Sequence, residues 1–153
     1  MKRAVLGAII LMGVAGLAAY AGSVRTEEGP PAVVFGGVSL KLEFAVTEAE
    51  REKGLGGRVS LMPDEAMLFV FPKDDYYGFW MKDTVVPLDL FWLDDKGQVV
   101  FIEKNVLPST YPNVFYPPVP ARYVLETAAG FADTHGIMPG ARLQLLNMPI
   151  VSQ

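Results

Sequence analysis

A mostly apolar stretch in the middle of the chain, Phe79–Leu93, constrains the fold more than any other part of the sequence. It contains both tryptophans and three charged residues, Lys82, Asp83 and Asp89. A charged side chain inside an apolar strand is costly unless an opposite charge or hydrogen bonds compensate it. We therefore expect these three side chains to be ion-paired, hydrogen-bonded or used in a binding site.

The patterns on both sides of this stretch predict a mainly β domain. Val38–Val46 alternates apolar and polar residues, and the glycine pair ahead of it suits a tight hairpin turn. Ala66–Phe71 is almost wholly apolar, and Phe79–Thr84 again alternates in the manner of a strand. One of two short helices is predicted at a capping box that begins at Thr47. About seven or eight dispersed strands with one or two short helices favour an antiparallel β-sandwich or flattened barrel.

The N-terminal residues do not resemble the rest of the chain. Residues 1–21 begin with two basic residues, continue apolar and end in a small-residue pattern, as a secretory signal peptide does. The alternative is an uncleaved membrane anchor, since the apolar part is near the shortest length that spans a bilayer. Residues 22–32 are predicted to be a flexible tether and residues 33–153 the β domain. Both interpretations predict an extracytoplasmic domain, periplasmic or secreted.

Charge and composition argue against several classes of protein. Removal of residues 1–21 leaves 11 basic and 17 acidic residues, a net charge of −6. An acidic domain without a basic stripe suits neither nucleic acid nor an anionic membrane surface, so a membrane partner is expected only through an uncleaved N-terminal helix. The absence of cysteine excludes disulfides, thiolate metal sites, a cysteine nucleophile and a lipoprotein anchor.

The sequence offers few groups for catalysis, and we predict neither a catalytic residue nor a metal or cofactor site. The only histidine, His135, lies near a predicted helix end, where a capping role is usual. No serine lies in a strand–turn–helix elbow, and no spaced ligands suggest a metal. Asp83, Asp89 and Glu126 could act as acid and base if the fold brings them together. A carboxylate-based hydrolase of an envelope glycan or peptide is therefore an alternative.

A non-catalytic binding or accessory module is the interpretation that we favour. Polar residues of the central stretch and Arg58 could form one cluster at an end of the sheet, roofed by the proline-rich loop Leu107–Pro120. The ligand would be a small polar molecule, a glycan or a peptide. The predicted binding residues are Arg58, Trp80, Lys82, Asp83, Thr84, Asp89, Tyr111, Tyr116 and Glu126. A purely structural envelope domain is a third interpretation, because core packing and ion pairing would also account for these residues.

An ordered series of motifs resembles the DUF192 (UPF0127) family. The motifs are Gly54–Arg58, Ala66–Phe71, Phe79–Thr84, Pro87–Asp89, Tyr123–Glu126 and His135–Gly140. The resemblance spans about Val38 to Leu146 and implies a compact, mainly β and frequently exported domain with no established activity to carry over. Two positions depart from the family pattern: Gly56 stands where methionine is common, and Asp83 stands where asparagine is frequent.

Overall fold

The computed structural model describes residues 32–145, which form a mainly β domain on one curled sheet. The strands are β1 (Ala32–Phe35), β2 (Val38–Ala45), β3 (Glu65–Asp75), β4 (Leu88–Leu93), β5 (Val99–Val106), β6 (Ala121–Ala128) and β7 (Gln144–Leu145). Their order across the sheet is β5-β4-β6-β3-β2-β1-β7. The connections contain two short helices, α1 (Glu48–Lys53) and α2 (Phe131–Thr134), and a 3-10 turn at Pro108–Thr110.

The predicted N-terminal segments, a signal peptide or anchor over residues 1–21 and most of the tether over residues 22–32, lie outside the described residues. So does the end of the domain beyond residue 145. Within residues 32–145, no helix has the length and apolar character needed to cross a membrane.

The mainly β class is confirmed, but the predicted sandwich and strand count are not. Among residues 32–145, six strands of four or more residues form the body of a single sheet, and β7 adds two residues at its edge. The sheet is also not wholly antiparallel, because β2 and β3 pair in parallel. Their connection contains α1, which begins at the predicted Thr47 capping box. A crossover of this length returns the chain to the same end of the sheet, so the next strand runs parallel.

Side chains alternate along each strand, and the sheet therefore has an apolar core on both faces. One face is covered by α2 and includes Phe91, Leu125 and Phe131; we call it the helix face. The opposite face, which we call the pocket face, includes Leu90, Trp92, Val124, Phe79 and Met81. Asp89 follows the parity of Phe91, whereas Glu126 follows the parity of Val124, so these two carboxyl groups point to opposite faces.

The central stretch is not a strand before Leu88, which corrects the expectation for Phe79–Thr84. Within that range only Phe79 forms a β-bridge, to Phe115 of the long loop. Asp83 has a φ of 55°, in the left-handed region rather than the extended range of a regular strand, and this turn ends the alternation. The segment instead crosses the pocket face as irregular chain, and its Phe79 and Met81 side chains are buried.

Candidate functional site

A pocket of about 430 Å³ opens on the pocket face of the sheet. The chain around α1 forms one wall, the irregular segment from Tyr77 to Thr84 forms another, and β3 and β6 form the floor. This volume is in the range of small-molecule sites, which cover roughly 300–1,000 Å³. The aromatic residues around the pocket are Phe69, Phe71, Tyr77, Phe79 and Trp80.

Glu126 is the buried carboxyl group of this pocket. It lies on β6 directly opposite Met67 of β3 and Leu90 of β4, so its neighbours across the sheet are apolar. It is 5% exposed, and within residues 32–145 its Oε2 atom has no hydrogen-bond partner. Burial raises the pKa of Glu126 to about 8. The carboxyl group is therefore mostly protonated at neutral pH.

The α1 wall is organised by Arg51. Its Nη1 atom donates to the carbonyl oxygens of Val46 and Val70, and its guanidinium lies 5.2 Å from the centre of the Phe71 ring. Phe71 in turn stacks on Tyr77, with ring centres 3.5 Å apart. Arg51 thus fixes one side of an aromatic wall, because guanidinium groups stack favourably on ring faces.

The opposite wall carries Trp80, Lys82 and Thr84. Trp80 is 48% exposed, and the Nζ atom of Lys82 lies 5.9 Å from the centre of its ring. Thr84 is buried, and its hydroxyl donates to the backbone oxygen of Lys82 at 3.2 Å. Further along this segment, the carbonyl of Tyr77 accepts a hydrogen bond from Trp92 Nε1 at 2.8 Å. The bond from Trp92 connects the wall to the sheet, and the bond from Thr84 lies within the wall itself.

The proline-rich loop does not roof the pocket, and that part of the prediction is wrong. None of the pocket-lining residues comes from Leu107–Pro120. Tyr111 instead meets the Trp80 ring edge-on at 6.1 Å, and Tyr116 packs against Gly78, where a Cβ atom would lie 2.5 Å from its ring. The loop therefore supports the outer side of the wall, and both tyrosines reach the site only through that wall.

Asp89 lies outside the pocket, which corrects the predicted cluster with Lys82. It is fully buried on the helix face, and its two carboxylate oxygens each accept one backbone N–H, from Asn105 and Ala132, at 2.8 Å. The arrangement also separates Asp89 from Glu126, which faces the other side of the sheet, so these two carboxyl groups do not form the acid and base that the hydrolase alternative requires. Asp89 therefore satisfies backbone donors, the structural role expected of a buried acid.

Arg58 is also absent from the pocket. Its Nη2 atom lies 2.6 Å from both carboxylate oxygens of Glu43, and the two residues line a separate depression beside α1. Asp83 is exposed, and its backbone oxygen accepts the Gly57 N–H at 2.8 Å. Of the predicted residues, the structure brings Trp80, Lys82, Thr84 and Glu126 together in the pocket.

Sequence reasoning missed the α1 wall. Alternation along β3 places Phe69 and Phe71 on one face, but nothing local indicates that Arg51 lies on the Phe71 ring. Among residues 32–145, no three histidine, aspartate or glutamate side chains are grouped closely enough to hold a metal ion.

Residues 32–145, the whole described domain, match the DUF192 family, described as "Uncharacterized ACR". The chain belongs to the DUF192 family. A solved structure from Sinorhizobium meliloti, described provisionally as a transcription regulator, is 32% identical, with a TM-score of 0.70 over 74% of this chain and 90% of that one. A protein of unknown function from Novosphingobium aromaticivorans is 33% identical, with a TM-score of 0.70 over 74% and 83% of the two chains. No curated protein matches the chain.

The DUF192 motif around Asp83 yields a stability prediction. At a φ of 55°, Asp83 is in the left-handed region, which asparagine and aspartate tolerate and β-branched residues do not. We expect Asp83→Asn to change the free energy of unfolding by less than about 0.5 kcal/mol and Asp83→Val to lower it by about 1–2 kcal/mol. Urea denaturation measures both. Asp95→Val, at an exposed turn residue without positive φ, is the control; an equal loss in the control would contradict the backbone explanation.

Proposed function

We propose that this DUF192 domain is a non-catalytic binding module of the cell envelope, which takes a small polar ligand, a glycan or a peptide in the pocket above Glu126. The observation that carries the proposal is the buried carboxyl group of Glu126, which has an oxygen without a partner in the described residues. A polar group on the ligand would supply that partner.

The energetic cost of Glu126 supports a role in binding. A buried polar group without a hydrogen bond costs about 1–3 kcal/mol, and an apolar residue of similar size avoids this cost. The torsion that turns a carboxyl group about its last bond is soft, so an oxygen of Glu126 can swing towards the pocket without moving the strand. A purely structural domain would be more stable with leucine at this position.

The aromatic walls support the same proposal. Phe71, Tyr77 and Trp80 offer ring surfaces beside the buried acid, and sites for small molecules typically combine apolar walls with a few polar groups. The hydrolase alternative loses support, since Asp89 and Glu126 face opposite sides of the sheet. Gene regulation, suggested by the description of one relative, has no support in this acidic chain, because DNA-binding surfaces are basic.

The sequence of residues 1–21 supports export. Its basic start, apolar centre and small-residue ending are typical of a signal peptide, or of an anchor if it is retained. A chain without cysteine needs no disulfide chemistry in an oxidising compartment.

Substitution of Glu126 tests the binding function. We expect diacetylchitobiose or the dipeptide alanyl-phenylalanine to change Trp80 fluorescence saturably in the full chain, because Trp80 lines the pocket and is half exposed. Glu126→Leu should weaken this binding at least about tenfold and raise the free energy of unfolding by about 1–3 kcal/mol.

Two controls accompany this experiment. Thr127→Val changes the next residue of β6, which is fully buried and follows the parity of the helix face, and it should leave binding unchanged. Trp80→Phe should remove the signal, because Trp92 is fully buried. Wild-type fluorescence that responds to neither probe, or equal binding by Glu126→Leu, would favour the structural interpretation.

A further inference from the structure

We infer that the ligand is a flat, ring-sized molecule with a carboxylate or carbonyl group. That group accepts a hydrogen bond from the protonated Glu126 side chain and faces the Lys82 ammonium. This inference rests on the proposed binding function and specifies the ligand class for the same pocket.

Glu126 acts as a donor in this pocket. Burial alone raises its pKa to about 8, so at pH 7 only about one-tenth of the molecules carry a carboxylate there. A protonated carboxyl group has one O–H donor, and a ligand carbonyl or carboxylate accepts it. A ligand ammonium group would instead require the ionised form, which is the minor form at this pH.

The charges around the pocket also favour an acceptor over a cation. The segment opposite α1 contributes Lys82 and the phenol of Tyr77, and the floor residues beside Glu126 on β3 and β4 are uncharged. The charged residues that α1 contributes are Glu48, Arg51, Glu52 and Lys53. With Glu126 protonated, three cationic side chains line the pocket against two exposed carboxylates.

The shape of the walls favours a flat body. The rings of Phe71 and Tyr77, which stack on each other, and the ring of Trp80, with the Lys82 ammonium beside it, all line the pocket. Aromatic rings pack well in stacked or edge-on arrangements, which a flat ligand can extend. Lys82 then lies where it can face the polar end of such a ligand.

Three probes with the same ring and different polar groups separate the possibilities: benzoate, benzamide and benzylamine. Titration of the full chain at pH 7, followed by Trp80 fluorescence, should give binding of benzoate and benzamide and at least about tenfold weaker binding of benzylamine. Benzamide is uncharged from pH 7 to pH 9, so its affinity should fall about tenfold over this range as Glu126 loses its proton.

Substitutions assign the two contacts. Glu126→Gln keeps an N–H donor, so it should retain benzamide binding and lose the pH dependence. Lys82→Met should weaken benzoate about fivefold or more and leave benzamide within about twofold, because only benzoate carries a full charge. Lys104→Met removes a charge that pairs with Asp133 at the sheet edge, and it should change neither affinity.

The outcomes separate the ligand class from the binding function. Tightest binding by benzylamine, or a benzamide affinity that does not change from pH 7 to pH 9, would overturn the inferred class while the pocket still binds. If benzoate, benzamide and benzylamine all fail to bind but diacetylchitobiose gives a response, only the inference that the ligand is a flat acceptor would be overturned. No response to any of these probes would overturn both proposals.

Discussion

The free energy of unfolding of this domain should fall by several kcal/mol between about pH 5 and pH 9, and Glu126→Gln should remove most of that fall. The pKa of Glu126 is about 8 in the folded protein, against an ordinary value of 4.5. Between these two values the folded chain keeps a proton that the unfolded chain releases, so raising the pH favours unfolding. The full difference between these two pKa values corresponds to about 5 kcal/mol in the free energy of unfolding. This is an upper bound, because the site relaxes around the charge.

The direction of this effect separates Glu126 from the other carboxyl groups whose pKa is shifted. Hydrogen bonds and ion pairs lower the pKa of Glu50, Asp64 and Asp75, so their contributions are lost only in more acidic solution. Urea denaturation at intervals from pH 5 to pH 9 measures the predicted slope in wild type and Glu126→Gln.

His135→Gln is the control for this experiment, since it replaces the single histidine of the chain and leaves Glu126 in place. It should retain the slope. Above pH 8, Glu126→Gln should be more stable than wild type, because it has no charge to bury. A wild-type stability that stays flat from pH 6 to pH 9 would mean that the Glu126 charge is compensated, and it would remove the basis for a proton-donating pocket.

Local patterns predicted the elements whose causes are local. The glycine pair between β1 and β2 forms the expected turn, with φ of 59° and 80° at Gly36 and Gly37. The Thr47 capping box also agrees with the sequence. In each case the residues of the sequence pattern are within a few positions of the turn or cap that they form, so distant contacts do not override the pattern.

The errors come from pairings that the sequence does not encode locally. Alternation shows that Asp89 and Leu90 point to opposite faces, but only the register of β4 on β6 shows that Leu90 is opposite Glu126. The same limit applies to Arg58, whose partner Glu43 lies on a different element. The sequence predicts Glu126 as a site residue because it is a carboxylic acid. Only the strand pairing shows that its neighbours across the sheet, Met67 and Leu90, are apolar.

The other large effect concerns the second buried acid: Asp89→Asn should lower the free energy of unfolding by about 2–4 kcal/mol at pH 7. Both carboxylate oxygens of Asp89 accept buried backbone N–H groups, and asparagine has a single acceptor oxygen. Its NH₂ group would face a donor and leave either Asn105 or Ala132 without a partner. Hydrogen bonds to a charged acceptor are worth about 1.5–3 kcal/mol each, so losing one of them is costly.

Urea denaturation measures this loss, and hydrogen exchange should be faster at the Asn105 and Ala132 amides in the Asp89→Asn protein. Asp133→Asn is the matched control: its carboxylate is exposed and pairs with Lys104, so its loss should stay within about 0.5 kcal/mol. Because Asp89 is on the helix face, Asp89→Asn should leave benzamide binding within about twofold wherever the protein is folded. Unchanged stability with lost binding would instead make Asp89 part of the ligand site, and the division of the two carboxyl groups between the faces of the sheet would be wrong.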